Sequence, residues 1–213
     1  MMVSLISFQR PTKVHKKIMF HYLLLTFSLF GCVTLEELEK YDIKSSPGTD
    51  LNGNWIFFGN FNENKKIIAT AINKTNGVIY RGIKTTGVFD GKSTPKIKKN
   101  SRGVAHLFFE NTQKIKVTQT KYSLYINFDR SIVEEYSFGE LKTIVLGNVK
   151  ARRSSGWIKG KSVYRIETLD EYGMKITEEY KLLVNEEKLE RLLIFRDKDL
   201  NEIKVLQTYI RKN

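Results

Sequence analysis

The feature that most constrains the fold is the sequence after Leu51, where short aromatic and β-branched runs alternate with Gly, Asn and Asp. The first residue types favour strands, and the small polar residues favour turns. Within 176–184, positions 176, 180, 182 and 184 are apolar, whereas 177, 179 and 181 are polar. This period of two predicts strands with one buried face.

The runs predict about a dozen short strands, with no long amphipathic helix between them. Such an antiparallel meander must close or stack in order to protect its edges. We expect residues 51–213 to form one mainly β domain, folded as a closed or partly open barrel. The expected strands are 54–58, 66–72, 78–88, 104–110, 113–118, 122–129, 131–137, 141–149, 157–168, 174–184, 189–196 and 203–211, with a hairpin turn at 73–77.

The segment before Cys32, the only cysteine, is basic and then uncharged over residues 18–31. A positive segment, an apolar run of 7 to 15 residues and a small residue are typical of a secretory signal. The run is shorter than the roughly 20 residues that span a bilayer as a helix. We therefore expect residues 1–31 to be removed. The basic residues are Arg10, Lys13, Lys16 and Lys17.

The residues Leu29, Phe30, Gly31 and Cys32 resemble the lipobox of bacterial lipoproteins, in which Leu, a tolerant position, a small residue and Cys follow one another. Phe30 departs from the Ala, Ser, Thr or Val that is commoner there. The resemblance implies a diacylglyceryl group on Cys32 and a lipid-anchored protein of the cell envelope. Val33, where retained lipoproteins often carry Asp, favours the outer over the inner membrane. The alternative is a secreted protein with Cys32 as a leftover thiol.

Residues 32–50 are expected to tether the domain to this anchor. The spacing of Leu35, Leu38 and Tyr41 after Thr34 predicts a short helix at the start of the tether. The alternative is a tether that is flexible throughout. No disulfide can form within the chain, so the domain must be stabilised by its core alone.

The formal net charge is +13, and residues 1–31 hold four of the 36 basic and none of the 23 acidic residues, which leaves +9 without them. Such a charge favours anionic partners. Because an exported chain rarely meets nucleic acid, we expect anionic lipid headgroups or acidic envelope polymers instead. Near an anionic membrane each cation contributes on the order of 1 kcal/mol.

Two basic patches are candidates for such a docking surface, the alternative being loops that are merely solvated. The first lies in the segment 90–103, and the second begins after residue 149. The residues are Lys92, Lys96, Lys98, Lys99 and Arg102 in the first patch, and Lys150, Arg152, Arg153, Lys159 and Lys161 in the second.

Gly53 and Trp55 resemble the Gly-x-Trp signature of lipocalins, in which a first-strand Trp closes the floor of an eight-stranded barrel. The family's later Thr-Asp-Tyr motif is not found. The resemblance implies a barrel that holds one small apolar or amphipathic molecule. The aromatic residues could equally fill a dry core. The candidate ligand-binding residues are Trp55, Phe57, Phe89, Phe108, Tyr164 and Tyr180, with Phe58 and Phe109 as further candidates.

Catalytic constellations are not recognisable in the sequence. His106 is the only histidine after residue 31, so a zinc site of three His or Cys ligands cannot be assembled. The pairs Glu134–Glu135 and Glu178–Glu179 point to opposite faces of their strands. We therefore expect a non-enzymatic protein without cofactor or metal. It would either bind a ligand in the barrel or dock a basic face on an envelope component or partner protein, and an apolar cavity beneath Trp55 would separate these hypotheses.

Overall fold

The structure is a computed structural model that describes residues 37–44, 49–75, 103–129, 133–183 and 187–212. Cys32, Phe89 and the first basic patch lie outside the described residues, as does the strand expected at 78–88. The prediction of a hairpin turn at 73–77 is wrong for residues 73–75, which form the end of a helix and its C-terminal cap, and residues 76 and 77 are not described.

Within the described residues, ten strands form one antiparallel sheet, which confirms the predicted β-meander. The order in space is β4-β3-β2-β1-β10-β9-β8-β7-β6-β5. The strands are β1 (Gly53–Phe57), β2 (Lys114–Gln119), β3 (Ser123–Asn127), β4 (Val133–Ser137), β5 (Glu140–Leu146), β6 (Val149–Trp157), β7 (Val163–Asp170), β8 (Lys175–Leu183), β9 (Lys188–Arg196) and β10 (Glu202–Arg211).

The two end strands of the sheet, β4 and β5, follow one another directly in the sequence. Only Phe138 and Gly139 separate them, and Gly139 has a φ of 71°, a left-handed conformation that glycine adopts without strain. Because so short a link joins the two ends, the sheet curls until they meet at this corner. Within the described residues β4 and β5 are not hydrogen-bonded neighbours, so the barrel is partly open.

Side chains bridge the opening near the corner. The Tyr164 hydroxyl donates to the Tyr136 carbonyl at 3.0 Å, and the Ser155 hydroxyl donates to the Ser137 carbonyl at 2.9 Å. These two hydrogen bonds join β7 and β6 to β4 across the opening.

The prediction of a strand at 66–72 is wrong, because this segment lies in a helix, α1 (Phe61–Lys74). The Asn60 side chain caps the helix by accepting hydrogen bonds from the N–H groups of Asn62 and Glu63. Ile68, Ala71 and Ile72, spaced as one helical face, are buried against an apolar cluster that includes β9 and β10 residues.

The prediction of a strand at 104–110 is also wrong, since Ala105–Phe108 form a 3₁₀ turn. The turn is held by the Asp170 carboxylate, which accepts hydrogen bonds from the N–H groups of Val104 and Ala105. Burial raises the pKa of Asp170, and these hydrogen bonds oppose the rise.

Residues 149–170 differ from expectation as well. β6 fills the interval between the strands expected at 141–149 and 157–168, and the tight turn after Trp157 that joins β6 to β7 interrupts the second of them. The polar run Arg152–Arg153–Ser154–Ser155 carries little strand propensity of its own. It becomes a strand because it pairs with β5 on one side and β7 on the other.

Residues 37–44, which lie in the expected tether, are not helical. Asp42 forms a two-way backbone bridge with Trp157, with N–O distances of 2.9 and 3.0 Å. Leu38 and Tyr41 are buried. A Cβ on Gly156 would lie 2.7 Å from the Cβ of Tyr41, so only glycine permits this close approach. Residues 38–43 therefore pack against the sheet instead of swinging freely.

Candidate functional site

The predicted ligand-binding aromatics lie in different environments. Trp55, Tyr164 and Tyr180 are at most 1 % exposed and belong to the main apolar core cluster. Phe57 is partly buried against that cluster, where its ring centroid lies 5.7 Å from that of Tyr209. Phe108 is partly buried in the 3₁₀ turn. The first three therefore pack as core side chains, and a role in ligand binding remains a prediction for all of them.

A buried ion pair lies among these aromatics. Arg191 on β9 donates from Nε to Oε2 of Glu178 on β8 at 3.0 Å, and its Nη2 donates to the same oxygen. Nη2 also donates to the Glu110 carbonyl at 2.8 Å. The Tyr180 hydroxyl donates to Glu178 at 2.9 Å. Burial raises the pKa of Tyr180, and the charge of Arg191 opposes the rise.

The network extends from this pair to α1. Gln207 accepts from Arg191 Nη1 at 3.4 Å and donates to Asn64 on α1 at 2.8 Å and to Asn111 at 2.9 Å. The Arg191 guanidinium also lies 4.9 Å from the ring centroid of Phe109. The charge of Arg191 is thus compensated by neighbouring groups of the protein, and the hydrogen-bond network joins α1 to the sheet.

This network was not predicted, although the sequence contains a sign of it. Glu178 stands at an even-numbered position, in line with the buried residues Ile176 and Tyr180 of β8. A carboxylate on the same strand face as buried apolar residues is itself buried, and a buried charge requires an ionic or hydrogen-bonding partner. The partner, Arg191, is identified only by the pairing of β8 with β9.

The second basic patch does not form one surface. Arg153 points into the barrel, where Nη1 lies 3.3 Å from Glu134 Oε2 and the guanidinium lies 5.0 Å from the Tyr136 ring centroid. Its side chain is only 8 % exposed, so its assignment to an anionic-surface site is wrong. Arg152 faces outward on the same strand, and Lys159 is exposed in the turn that follows β6.

A groove of about 420 Å³ lies across β1, β2 and β3, beside the end of β10. Strand pairing places Asn54 opposite Lys116, and Lys116 opposite Asn127. Lys212 reaches the groove because its N–H donates to the Asn54 carbonyl at 2.8 Å. The residues that line the groove are Asn54, Trp55, Ile56, Lys114, Ile115, Lys116, Asn127, Asp129 and Lys212.

The groove carries an excess of positive charge. Lys114, Lys116 and Lys212 form no ion pair with any residue in the described part of the chain, and Asp129 is the one acidic residue in the lining. The neighbouring Arg211 stacks 4.6 Å from the Trp55 ring centroid and donates to the Asn52 carbonyl at 3.0 Å. The lining is therefore arranged to attract an anion.

The three lysines were not among the residues predicted to bind an anion. Lys114 and Lys116 alternate with the buried Ile115 and Val117, which places both lysines on the outer face of β2. Lys212 is distant from Lys114 and Lys116 in the sequence, and it lies beside them only because β1 pairs with β10.

Within the described ranges, no group of three or more His, Cys, Asp or Glu side chains is placed to hold a metal ion. Helices long and apolar enough to cross a membrane are likewise absent from this part of the chain.

No protein-family model and no curated protein matches the chain. Two solved structures from Ramazzottius varieornatus are similar to it, a secretory abundant heat soluble (SAHS) protein and SAHS protein 4. They share 13 % and 12 % identity, with TM-scores of 0.42 and 0.47. The matches cover 79 % and 80 % of this chain and the whole of both structures. At these values the similarity assigns neither a family nor a function.

Proposed function

We propose that the protein is a non-catalytic module, anchored to the cell envelope through Cys32, that binds a phosphate-bearing envelope component in the groove of β1–β3. The observation that carries this proposal is a groove of about 420 Å³ lined by three lysines that form no ion pair with any described residue. That volume falls within the range of small-molecule sites, which is roughly 300–1,000 Å³.

The chemistry of the lining supports an anion with several oxygens. Ammonium groups bind phosphate as point charges, and the amide of Asn54 can donate to a phosphate or sugar oxygen. Lys114 and Lys116 are carried by the paired strand β2, which holds their Cα positions more firmly than a loop would. Lys212 directly follows β10, and its N–H bond to the Asn54 carbonyl holds its backbone against β1. Net positive charge over the whole chain would also attract such a ligand.

An apolar ligand in the barrel interior is supported less well. The side chains of Trp55, Tyr164 and Tyr180 would have to separate, because each is buried by its neighbours. Opening the interior would also disturb the hydrogen bonds of Arg191. The groove requires neither change.

Isothermal titration of the chain with sn-glycerol 1-phosphate in neutral detergent at low salt tests the proposal. The test variant is Lys114→Gln/Lys116→Gln/Lys212→Gln. Each exposed charge contact contributes roughly 0.2–1 kcal/mol, so the loss of three together should weaken binding by about 3-fold to 150-fold.

The matched control is Lys159→Gln/Lys181→Gln/Lys198→Gln, which removes the same charge at exposed positions away from the groove. We expect the control to bind nearly as well as the unchanged chain. Equal weakening in both variants would mean that net charge alone, and not the groove, attracts the probe. An apolar lipid that stays with the purified chain would instead favour the interior site.

A further inference from the structure

β5 has one edge that pairs with no other strand in the described part of the chain. β5 forms hydrogen bonds to β6 along its whole length, from Glu140 opposite Ser155 to Leu146 opposite Val149. It ends the sheet, so its other edge pairs with no described strand. A row of unpaired N–H and C=O groups of this kind is a template for another strand.

The two ends of the sheet differ in how they resist such pairing. β4 has five residues, two of which are the carboxylates Glu134 and Glu135. Short length and charge both discourage edge-to-edge contact. β5 has seven residues, contains no proline, and ends in Thr143–Ile144–Val145–Leu146, which favours β-structure. Its two charges, on Glu140 and Lys142, pair with each other at 2.7 Å.

The outer face of β5 is apolar and exposed. Leu141 and Val145 are 57 % and 59 % exposed, and they lie two residues before and two residues after Thr143. Because alternate side chains share a face, all three residues point to the same side. An antiparallel pair centred on Thr143 would place Leu141 of each copy opposite Val145 of the other. The pattern is therefore self-complementary about one residue.

We propose that β5 is a dimerisation edge, where two copies of this chain join by antiparallel β5–β5 pairing about a two-fold axis through Thr143. This surface is separate from the groove, and the proposal does not depend on what the groove binds. Pairing would bring four exposed apolar side chains into cross-strand contact and would hydrogen-bond the free edge of both copies. The ten-stranded sheet of one copy would then be continuous with the sheet of the other copy.

Like charges do not prevent this arrangement. Arg152, on β6 opposite Thr143, is the outward cation closest to the axis. Three strand spacings would separate it from its counterpart, which is about 14 Å. Charges at that distance are largely screened at physiological salt, where the Debye length is about 8 Å.

Register-specific crosslinking tests the proposal on the full-length chain carrying Cys32→Ser. Opposed residues in an antiparallel pair lie about 4.5–5.5 Å apart at Cα, within disulfide range, so Thr143→Cys should crosslink with itself under mild oxidation. Leu141→Cys is the matched control. Its two copies would lie roughly 14 Å apart and should stay uncrosslinked, whereas a mixture with Val145→Cys should crosslink.

Sedimentation of the same chain without added cysteines provides the second measurement. We expect a monomer–dimer equilibrium that Val145→Lys weakens at least tenfold, with an unchanged circular dichroism spectrum. A monomer at 100 μM, a dimer in which Thr143→Cys does not crosslink, or a ladder of higher oligomers would each overturn the proposal.

Discussion

The buried pair between Glu178 and Arg191 gives the sharpest test of the fold's energetics. Arg191 is fully buried, and the side chain of Glu178 is 6 % exposed. Glu178→Gln keeps the shape of the side chain but removes the charge that compensates the guanidinium. Breaking a buried pair in this way costs about 3–5 kcal/mol. Because small domains are stable by about 5–15 kcal/mol, we expect a large loss of stability.

Urea unfolding at pH 7, followed by tryptophan fluorescence, measures the change, since both Trp55 and Trp157 are buried. The matched control is Glu202→Gln, which removes an exposed carboxylate 3.7 Å from Lys204 and should cost less than about 1 kcal/mol. The double variant Glu178→Leu/Arg191→Met removes both charges and should recover much of the loss.

Two results would refute this reasoning. One is a Glu178→Gln variant that is as stable as Glu202→Gln, which would mean that the guanidinium finds other compensation. The other is a double variant that is less stable than Glu178→Gln, which would mean that the pair contributes more than the burial of both charges costs. The denaturant dependence should stay constant, so that midpoints report stability alone.

Two further predictions concern alkaline pH and the anchor. Burial raises the pKa of Tyr136, Tyr164 and Tyr180, so above pH 10 the unfolded chain loses protons that the folded chain keeps. Stability should therefore fall above pH 10, by up to about 1.4 kcal/mol per pH unit for each tyrosine, and a urea midpoint unchanged between pH 9 and 10.5 would contradict this. Cys32→Ser should release the protein into the soluble fraction and abolish labelling by a palmitate analogue; persistent labelling would exclude lipidation at this residue.

The strands were predictable where apolar and polar residues alternate. β8 and β3 follow this pattern, and their bounds differ from the expected ones by one or two residues. The helix α1 was not predicted because its apolar residues, Ile67–Ile68 and Ile72 among them, have high strand propensity. The helical conformation is stabilised instead by the Asn60 cap and by packing of the helix onto the sheet.

The sites were less predictable than the strands, because they depend on which strands become neighbours. Arg153 looked like a surface cation in sequence, yet its position in β6 turns it toward Glu134. Lys114 and Lys116 could have been assigned to one face from their spacing alone. Their proximity to Lys212 could not, because nearly 100 residues separate them in the sequence.

The pairing of β1 with β10 has a consequence for how the chain acquires its structure. Trp55 lies opposite Arg211, so the first and last of the ten strands along the chain are neighbours, in fourth and fifth place across the sheet. Local hairpins can assemble β2–β4 and β5–β10 early, but joining them through β1 requires closing a loop of about 150 residues. Such long-range pairing slows folding. Until β10 has been synthesised, the strand groups on both sides of β1 and β10 each have an unpaired edge. During that interval the chain is incompletely folded, so a chaperone or an export pathway can still act on it.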